Sequence, residues 1–261
     1  MGTATSGVPL QPAEVVAVIR PARRAAAAGR YASVVDPTRV PVVMCTWKRV
    51  DRLPRTLEML AEQDTPAALY LWNNNGREAS RIDDCLRRSP IPAQSVHCER
   101  NIGGFGRFYL ARDLAPAREA VVFVDDDQDF GPSMIAHQLA SFEVRSLAGW
   151  WAFTYHRGAT TYAERDRVAT PLGPADYVGT GGMVADTSIF TDPRLFGCPR
   201  RYWFVEDVWL SYYAGQVRGW KLRKSRAEFT FAPDEHDMDE SLWATKARMF
   251  RYLRRRGWRV G

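Results

Sequence analysis

The chain has 261 residues, 46% of them apolar and 25% charged, an ordinary balance for a globular protein that excludes wholesale disorder, collagen-like repeats and a disulfide scaffold. Its length admits one large domain or two small ones at roughly 100–200 residues each, and no apolar run approaches the ~20 residues that span a bilayer. The formal charge of +6 is uneven: residues 1–30 and 221–261 are basic and the body between them is slightly acidic.

Basic ends of this kind suit an anionic membrane surface, nucleic acid or a phosphorylated substrate, or simply solvent. The start has no basic segment followed by an apolar core, so no secretory signal is read there. Cys45, Cys85, Cys98 and Cys198 lack metal-knuckle spacing. Reduced thiols in a cytoplasmic protein are expected, each packed as a small residue.

Residues 1–12 mix Gly, Thr, Ser and Pro and read as disordered, while residues 13–30 are rich in Ala and Arg and favour a helix interrupted near Pro21. Residues 1–38 are therefore expected to form a flexible or helical extension, and residues 39–261 the main domain. That domain opens with an apolar strand at residues 40–46. Leu53, Leu57 and Leu60 recur at helical spacing, with Pro54 tolerated in the first turn. Residues 68–72 form a second strand, stopped by Asn73-Asn74-Asn75-Gly76. A helix over 79–88, a weak strand over 95–98 and a helix from about 101 to 114 follow. The clearest strand, 120–124, ends abruptly in Asp125-Asp126-Asp127. The second half is less regular, with a glycine loop at 179–182, a helical stretch at 205–217 and a basic C-terminal helix near 246–256. Alternating strands and helices predict an α/β domain with a mostly parallel sheet, whose ligands bind beyond the carboxyl ends of the strands. The polar clusters named above all fall there.

Three adjacent carboxylates after a buried strand repel one another, and folding does not require them. In an extended segment Asp125 and Asp127 share a side, which suits a divalent cation such as Mg²⁺ or Mn²⁺ completed by substrate phosphates. A solvated acidic turn is the plainer alternative. Glu206-Asp207 sits among Trp203, Phe204, Val205 and Trp209. An apolar surround raises a carboxyl pKa and suits a proton acceptor, although such a pair also suits a helix N-terminus. The glycines of 103–106 offer close backbone approach at a helix start, and Gly181-Gly182 suggest a substrate loop or a turn. His236 lies in an acidic stretch.

In order and spacing these pieces resemble the inverting GT-A glycosyltransferases of the family 2 type, from about residue 40 to His236. Residues 42–49 are similar to the family's opening strand and Thr-Tyr-Asn-Arg turn, with Trp47 and Lys48 replacing Tyr and Asn. Residues 72–76 resemble the second strand, with Asn73 or Asn74 in place of an Asp that contacts the donor base. Residues 101–108 resemble the glycine-rich stretch of galactofuranosyl and rhamnosyl members, with Arg107 replacing a Gly. Asp125 and Asp127 look like the Asp-x-Asp metal motif, and Glu206-Asp207 like the pair whose Asp is the catalytic base.

The resemblance implies a Rossmann-like GT-A fold, a mixed but mostly parallel sheet flanked by helices. It implies transfer of a sugar from a nucleoside diphosphate, most naturally UDP, to an acceptor hydroxyl. Asp125, Asp127 and His236 would hold the cation. Asp207 would be the base, with Glu206 orienting substrate. Thr46, Arg49, Asn73, Asn74, Asn101, Gly104, Arg107, Asp125 and Asp126 would face the donor nucleotide, and Gly181, Gly182 and Trp203 the sugar or acceptor. Trp150, Trp151 and Trp209 are further stacking candidates, or core. No nucleic-acid partner is expected, and the basic ends leave room for peripheral contact with an anionic membrane. The alternatives are a basic nucleic-acid- or membrane-binding module, and a sugar nucleotidyltransferase, which would need a Gly-rich loop that residues 46–51 lack. A glycosidase would also use two carboxylates, but has no need of the Asp triplet.

Overall fold

The computed structural model describes Asp36 and residues 38–232 and 239–261. Most of the expected N-terminal extension, and His236, lie outside the described residues. In chain order the elements are β1 (Val40–Thr46), α1 (Leu53–Ala61), β2 (Ala67–Asn73), α2 (Ala79–Arg87), β3 (Ala93–His97), α3 (Gly106–Leu114) and β4 (Ala120–Asp125). There follow β5 (Gln128–Asp129), α4 (Met134–Leu139), β6 (Ser146–Gly149), β7 (Ala152–Tyr155), β8 (Arg165–Arg167), β9 (Tyr177–Val178) and β10 (Met183–Asp186). The chain ends with α5 (Glu206–Tyr212), β11 (Lys221–Lys224), β12 (Thr230–Phe231) and α6 (Asp239–Arg254).

Seven strands form one mixed sheet in the order β11-β6-β10-β4-β1-β2-β3. β1 lies parallel to β2 and β4, and β3 parallel to β2. β10 alone runs against its neighbours β4 and β6. The registers align the ends: Thr46 pairs with Asn73, and Cys45 with Asp125. Because β10 is reversed, its entry loop at 179–182 arrives at this same edge. So does the exit of β6 into Trp150 and Trp151, since Met183 pairs with Gly149. One edge of the sheet therefore collects the exits of β1, β2, β4 and β6 together with the entry to β10.

The strand period of two divides the core. Val43 and Cys45 join Tyr70, Trp72, Val121 and Phe123 under Phe108 of α3. Val42 and Met44 join Leu69, Leu71, Val122 and Val124 under Leu53, Leu57 and Leu60 of α1. Both faces are covered, which is why β1, β2 and β4 read as continuous apolar runs rather than alternating ones. Pro54 falls in the first turn of α1, where no helical N–H is lost.

The helical stretch expected over 205–217 is present, as α5 followed by a π-helical turn over residues 213–217, where the Arg218 N–H reaches back to the Tyr213 carbonyl at 3.0 Å. One expectation is corrected. The extended segment ends at Asp125. Asp126 and Asp127 form the turn into β5, so period-two reasoning does not carry to Asp127. The turn is fixed instead by the Gln128 side chain, which accepts from the Asp125 N–H at 2.9 Å, and by the Ala232 N–H bonding the Asp127 carbonyl at 2.8 Å.

Phe123 is fully buried at the centre of β4, with its ring 5.6 Å from Phe190. Phe123→Ala should destabilise the protein by about 3–5 kcal/mol in urea denaturation. Val144→Ala, at a position 62% exposed, should stay within about 0.5 kcal/mol.

Candidate active site

A cavity of about 610 Å³ opens at the gathered edge of the sheet. Its floor is the end of β1 and β4 and the start of α3; its far wall is the start of α5. Thr46, Arg49, Asn74, Asn101, Gly104, Arg107, Asp125, Asp126, Asp127, Glu206 and Asp207 all line it. Among the residues singled out from the sequence, Asn73, Gly181, Gly182 and Trp203 do not.

The three aspartates are held differently. Asp126 is buried and accepts from the Thr46 hydroxyl at 2.8 Å and from Arg49 at 3.1 Å. Burial pushes its carboxyl up in spite of Arg49. Thr46 and Arg49 thus brace the turn through Asp126. Asp125 receives Arg107 Nη2 at 2.7 Å. Asp127 lies 3.4 Å from Arg49, and its Oδ1 is buried without a hydrogen-bond partner. Burial and the neighbouring Asp125 charge raise Asp127 to about 7.

Arg107, the residue that replaces a glycine of the resembled pattern, is 4% exposed. Besides Asp125 it faces Glu206, with Nε 3.7 Å from Oε1. Burial works against its charge, but the acidic groups around it, Asp125 foremost and Glu206 among them, together outweigh this and its pKa rises. Glu206 also accepts from the Thr180 hydroxyl at 3.1 Å. Burial raises Glu206 to about 7 although Arg107 pulls the other way.

Two glycines permit these contacts. A Cβ on Gly104 would stand 1.8 Å from Glu206 Oε1, and one on Gly181 would stand 2.1 Å from Asp125 Oδ2. Gly181 therefore acts from behind the cavity wall, and Gly182 is the left-handed turn residue entering β10.

Asp207 opens on a different part of the cavity. One carboxylate oxygen accepts from the Tyr177 hydroxyl, and Lys246 of α6 stands 3.8 Å from it. The other oxygen accepts from the Val208 N–H at 2.8 Å. Tyr177 in turn stacks on Phe153 and meets Tyr162 edge-on, and Trp151 and Phe231 line the same cavity. Trp151 stacks on Phe153 with planes 8° apart, and Phe231 remains 50% exposed. Arg165 lies over the Tyr162 ring at 3.7 Å.

Trp150, Trp203 and Trp209 belong to the interior. Trp203 stacks on Phe105 at 4.9 Å and donates to the Cys198 carbonyl. Trp209 donates to the Leu195 carbonyl, and Trp150 to Glu228. Asn73 is corrected likewise. It is fully buried, and its amide bonds Asn75 and lies 3.0 Å from His97 Nδ1. Asn74 reaches the cavity in its place, bonding Trp72, Ile102 and Gly103. Cys45 lines the floor, but burial pushes its thiol up to about 12, which removes it as a nucleophile at neutral pH.

No protein-family profile and no curated protein matches this chain. Solved structures do. The S. aureus TarS fragment 1-349 is 16% identical, with a TM-score of 0.52 over 74% of this chain and 60% of that one. The same fragment in complex with UDP gives 16% and 0.51 over 80% and 65%. GalNAc-T7 with UDP, GalNAc and Mn²⁺ gives 14% and 0.55 over 76% of this chain and 44% of that one. The fold is GT-A. This chain spans about 60% of the length of the TarS fragment.

On that GT-A frame, Lys48, Trp47, Tyr177, Arg165 and Lys246 are cavity residues or neighbours of Asp207 that sequence reasoning did not single out as site residues. Trp47 and Lys48 carried a signal, being departures beside Arg49. Tyr177 and Lys246 carried none, since only the tertiary fold brings them to Asp207.

A carboxyl group raised to about 7 in the fold and ordinarily near 4.5 makes the folded state hold its proton more tightly than the unfolded one. Its contribution to stability is complete below about pH 4.5 and is lost as pH rises through about 7. The melting temperature of the wild type should therefore fall relative to that of Glu206→Gln between pH 5 and pH 8. Parallel melting curves for the two proteins across this window would contradict the assignment. Gly104→Ala should displace Glu206 and destabilise the fold by about 1–3 kcal/mol, read by chemical denaturation.

Proposed function

We propose that the protein is a metal-dependent, inverting glycosyltransferase that moves a sugar from a nucleoside diphosphate sugar, UDP-linked, to an acceptor hydroxyl. One observation carries this reading: a single cavity at the carboxyl edge of a GT-A sheet holds adjacent carboxylates on one wall, with Asp127 Oδ1 lacking a hydrogen-bond partner among the described residues, and a separate carboxylate, Asp207, on another. The solved GT-A structures named with UDP, and GalNAc-T7 with Mn²⁺, support the donor class and the cation.

The residues fit a divalent cation. Among the described residues Asp127 Oδ1 is a buried acceptor without a donor, and burial together with the proximity of Asp125 raises the Asp127 pKa; a cation between them would relieve both strains. Among the described residues no group of three or more His, Cys, Asp or Glu could hold a metal alone. Asp125 and Asp127 would hold it, leaving its remaining positions for diphosphate oxygens. When bound, such an ion supplies charge stabilisation to the departing diphosphate.

The chain's own groups do the rest. Asp126, braced by Thr46 and Arg49, fixes the turn that aims its two neighbours. Lys48, exposed at the rim and 4.4 Å above the Trp47 ring, adds positive charge toward the diphosphate. Asn74 and Asn101 shape the backbone at Gly103 for the nucleoside side. Glu206, tied to Arg107 and Thr180, orients the sugar. Asp207 accepts the proton of the attacking hydroxyl, steadied by Tyr177 and Lys246. The aromatic wall of Trp151, Phe153 and Phe231 receives the acceptor. A single base and direct displacement invert the anomeric centre.

Asp207→Asn preserves shape but removes the proton acceptor. Transfer should fall by about 10²–10⁴-fold while UDP affinity persists, with Glu206→Gln the milder of the two. The reverse ranking would move the base to Glu206. Asp127→Ala should abolish the Mn²⁺-dependent part of UDP binding measured by calorimetry. Equal UDP affinity of the wild type in EDTA and in Mn²⁺ would refute the metal role.

A further inference from the structure

In sequence, the arginines near the C-terminus are part of a basic end that leaves room for peripheral contact with an anionic membrane. The structure sorts them. Arg254 donates to the Trp258 carbonyl and Arg256 lies over Tyr252. Arg248, Arg251 and Arg255 instead join Arg201, Tyr202 and Thr245 around a second concavity of about 510 Å³. It shares no lining residue with the candidate active site.

Four guanidinium groups face this space, and among the described residues no carboxylate lines it. All four are exposed, and among the described residues none forms an ion pair. Other surface arginines are paired, such as Arg81 with Asp51, Arg87 with Asp84 and Arg194 with Asp192. Gathering like charges without a counter-charge is unfavourable, and nothing in the packing requires it.

The groups are also held in place. Arg201 lies over Tyr202 at 4.9 Å and Tyr252 at 5.6 Å. Arg248 bonds the Thr245 hydroxyl at 3.2 Å. Met249, Phe250 and Leu253 anchor the opposite face of α6 in the core, so the helix cannot roll its arginines away. A concavity of this size accepts a small molecule, and guanidinium forks match phosphate oxygens bidentately.

We propose that this concavity binds a soluble anion carrying two or more phosphate groups. The charge density of four arginines exceeds what one carboxylate would use. A lipid surface is disfavoured because the apolar side of α6 is spent on the core, and none of the exposed large apolar residues (Val144, Val217, Phe231 and Trp243) lines the concavity.

Tripolyphosphate is a suitable probe, titrated calorimetrically in EDTA at about 0.15 M salt, where long-range attraction is screened within ~8 Å. The expected result is saturable binding that weakens at least about tenfold in the double variant Arg248→Gln with Arg251→Gln. The control Arg77→Gln with Arg88→Gln, which removes the same charge from exposed positions on another element, should bind as the wild type does. Circular dichroism confirms that both variants are folded. Equal weakening in the two variants would reduce the effect to net charge and overturn the proposal. So would undiminished binding in the first variant. Absence of tripolyphosphate binding, with phosphatidylserine vesicles bound by the wild type and released by the first variant, would overturn it in favour of a lipid surface.

Discussion

The site is organised around one buried charge. Arg107 leaves the first turn of α3, reaches beneath the cavity and stands between Asp125 at the end of β4 and Glu206 at the start of α5. Each of these carboxylates would be costly without it, and Arg107 would be costly without them. Removing one member of such a buried set typically costs 3–5 kcal/mol, because the remaining charge is left uncompensated. Three elements, α3, β4 and α5, are thereby tied to one another at the cavity floor. The glycines follow from the same constraint: Gly104 and Gly181 are the places where backbone must pass within a Cβ's reach of Glu206 and Asp125.

That buried charge also divides the cavity. On one side Arg49 and Thr46 hold Asp126, and the Asp127 acceptor remains unmatched. On the other, Asp207 is fixed by a hydroxyl and approached by an ammonium within an aromatic wall. The two acidic walls therefore differ in how their charge is answered. On the proposed function, the first wall keeps an acceptor oxygen open to a cation, and the second holds a proton acceptor steady while it stays accessible to the cavity. Neighbours in sequence separate by the same logic: Glu206 is bound to the floor and Asp207 to Tyr177, although both begin one helix.

The central strands were legible because burial on both faces leaves an unbroken apolar run, and β1, β2 and β4 fall within a residue or two of where those runs lie. The acidic clusters were legible because folding alone does not account for adjacent carboxylates. What failed was anything set by side-chain direction. Asn73 and Asn74 are indistinguishable as sequence, yet the strand end turns the first into the protein and the second toward the cavity. Asp127 was assigned to the side of Asp125 by strand periodicity, but the strand stops at Asp125 and the turn decides. Among the tryptophans, composition offers no means of separating Trp203 on the Phe105 ring from Trp151 on the cavity wall. Arg107 looked like a surface cation beside glycines, and its two carboxylate partners lie 18 and 99 residues away.

The last helix shows how far one element can serve separate ends. Side chains of α6 point three ways: Met249, Phe250 and Leu253 into the core, Lys246 toward Asp207, and Arg248 and Arg251 to the outer concavity. At about 1.5 Å of rise per residue, Lys246 and Arg251 stand only ~7.5 Å apart along the axis. The apolar face fixes the rotation of the helix, and that single rotation sets both polar faces at once. A change in the position of α6 therefore reaches the Asp207 carboxylate and the arginine cluster together, and the packing of Phe250 against Tyr155, with rings 4.7 Å apart, resists such a change from inside.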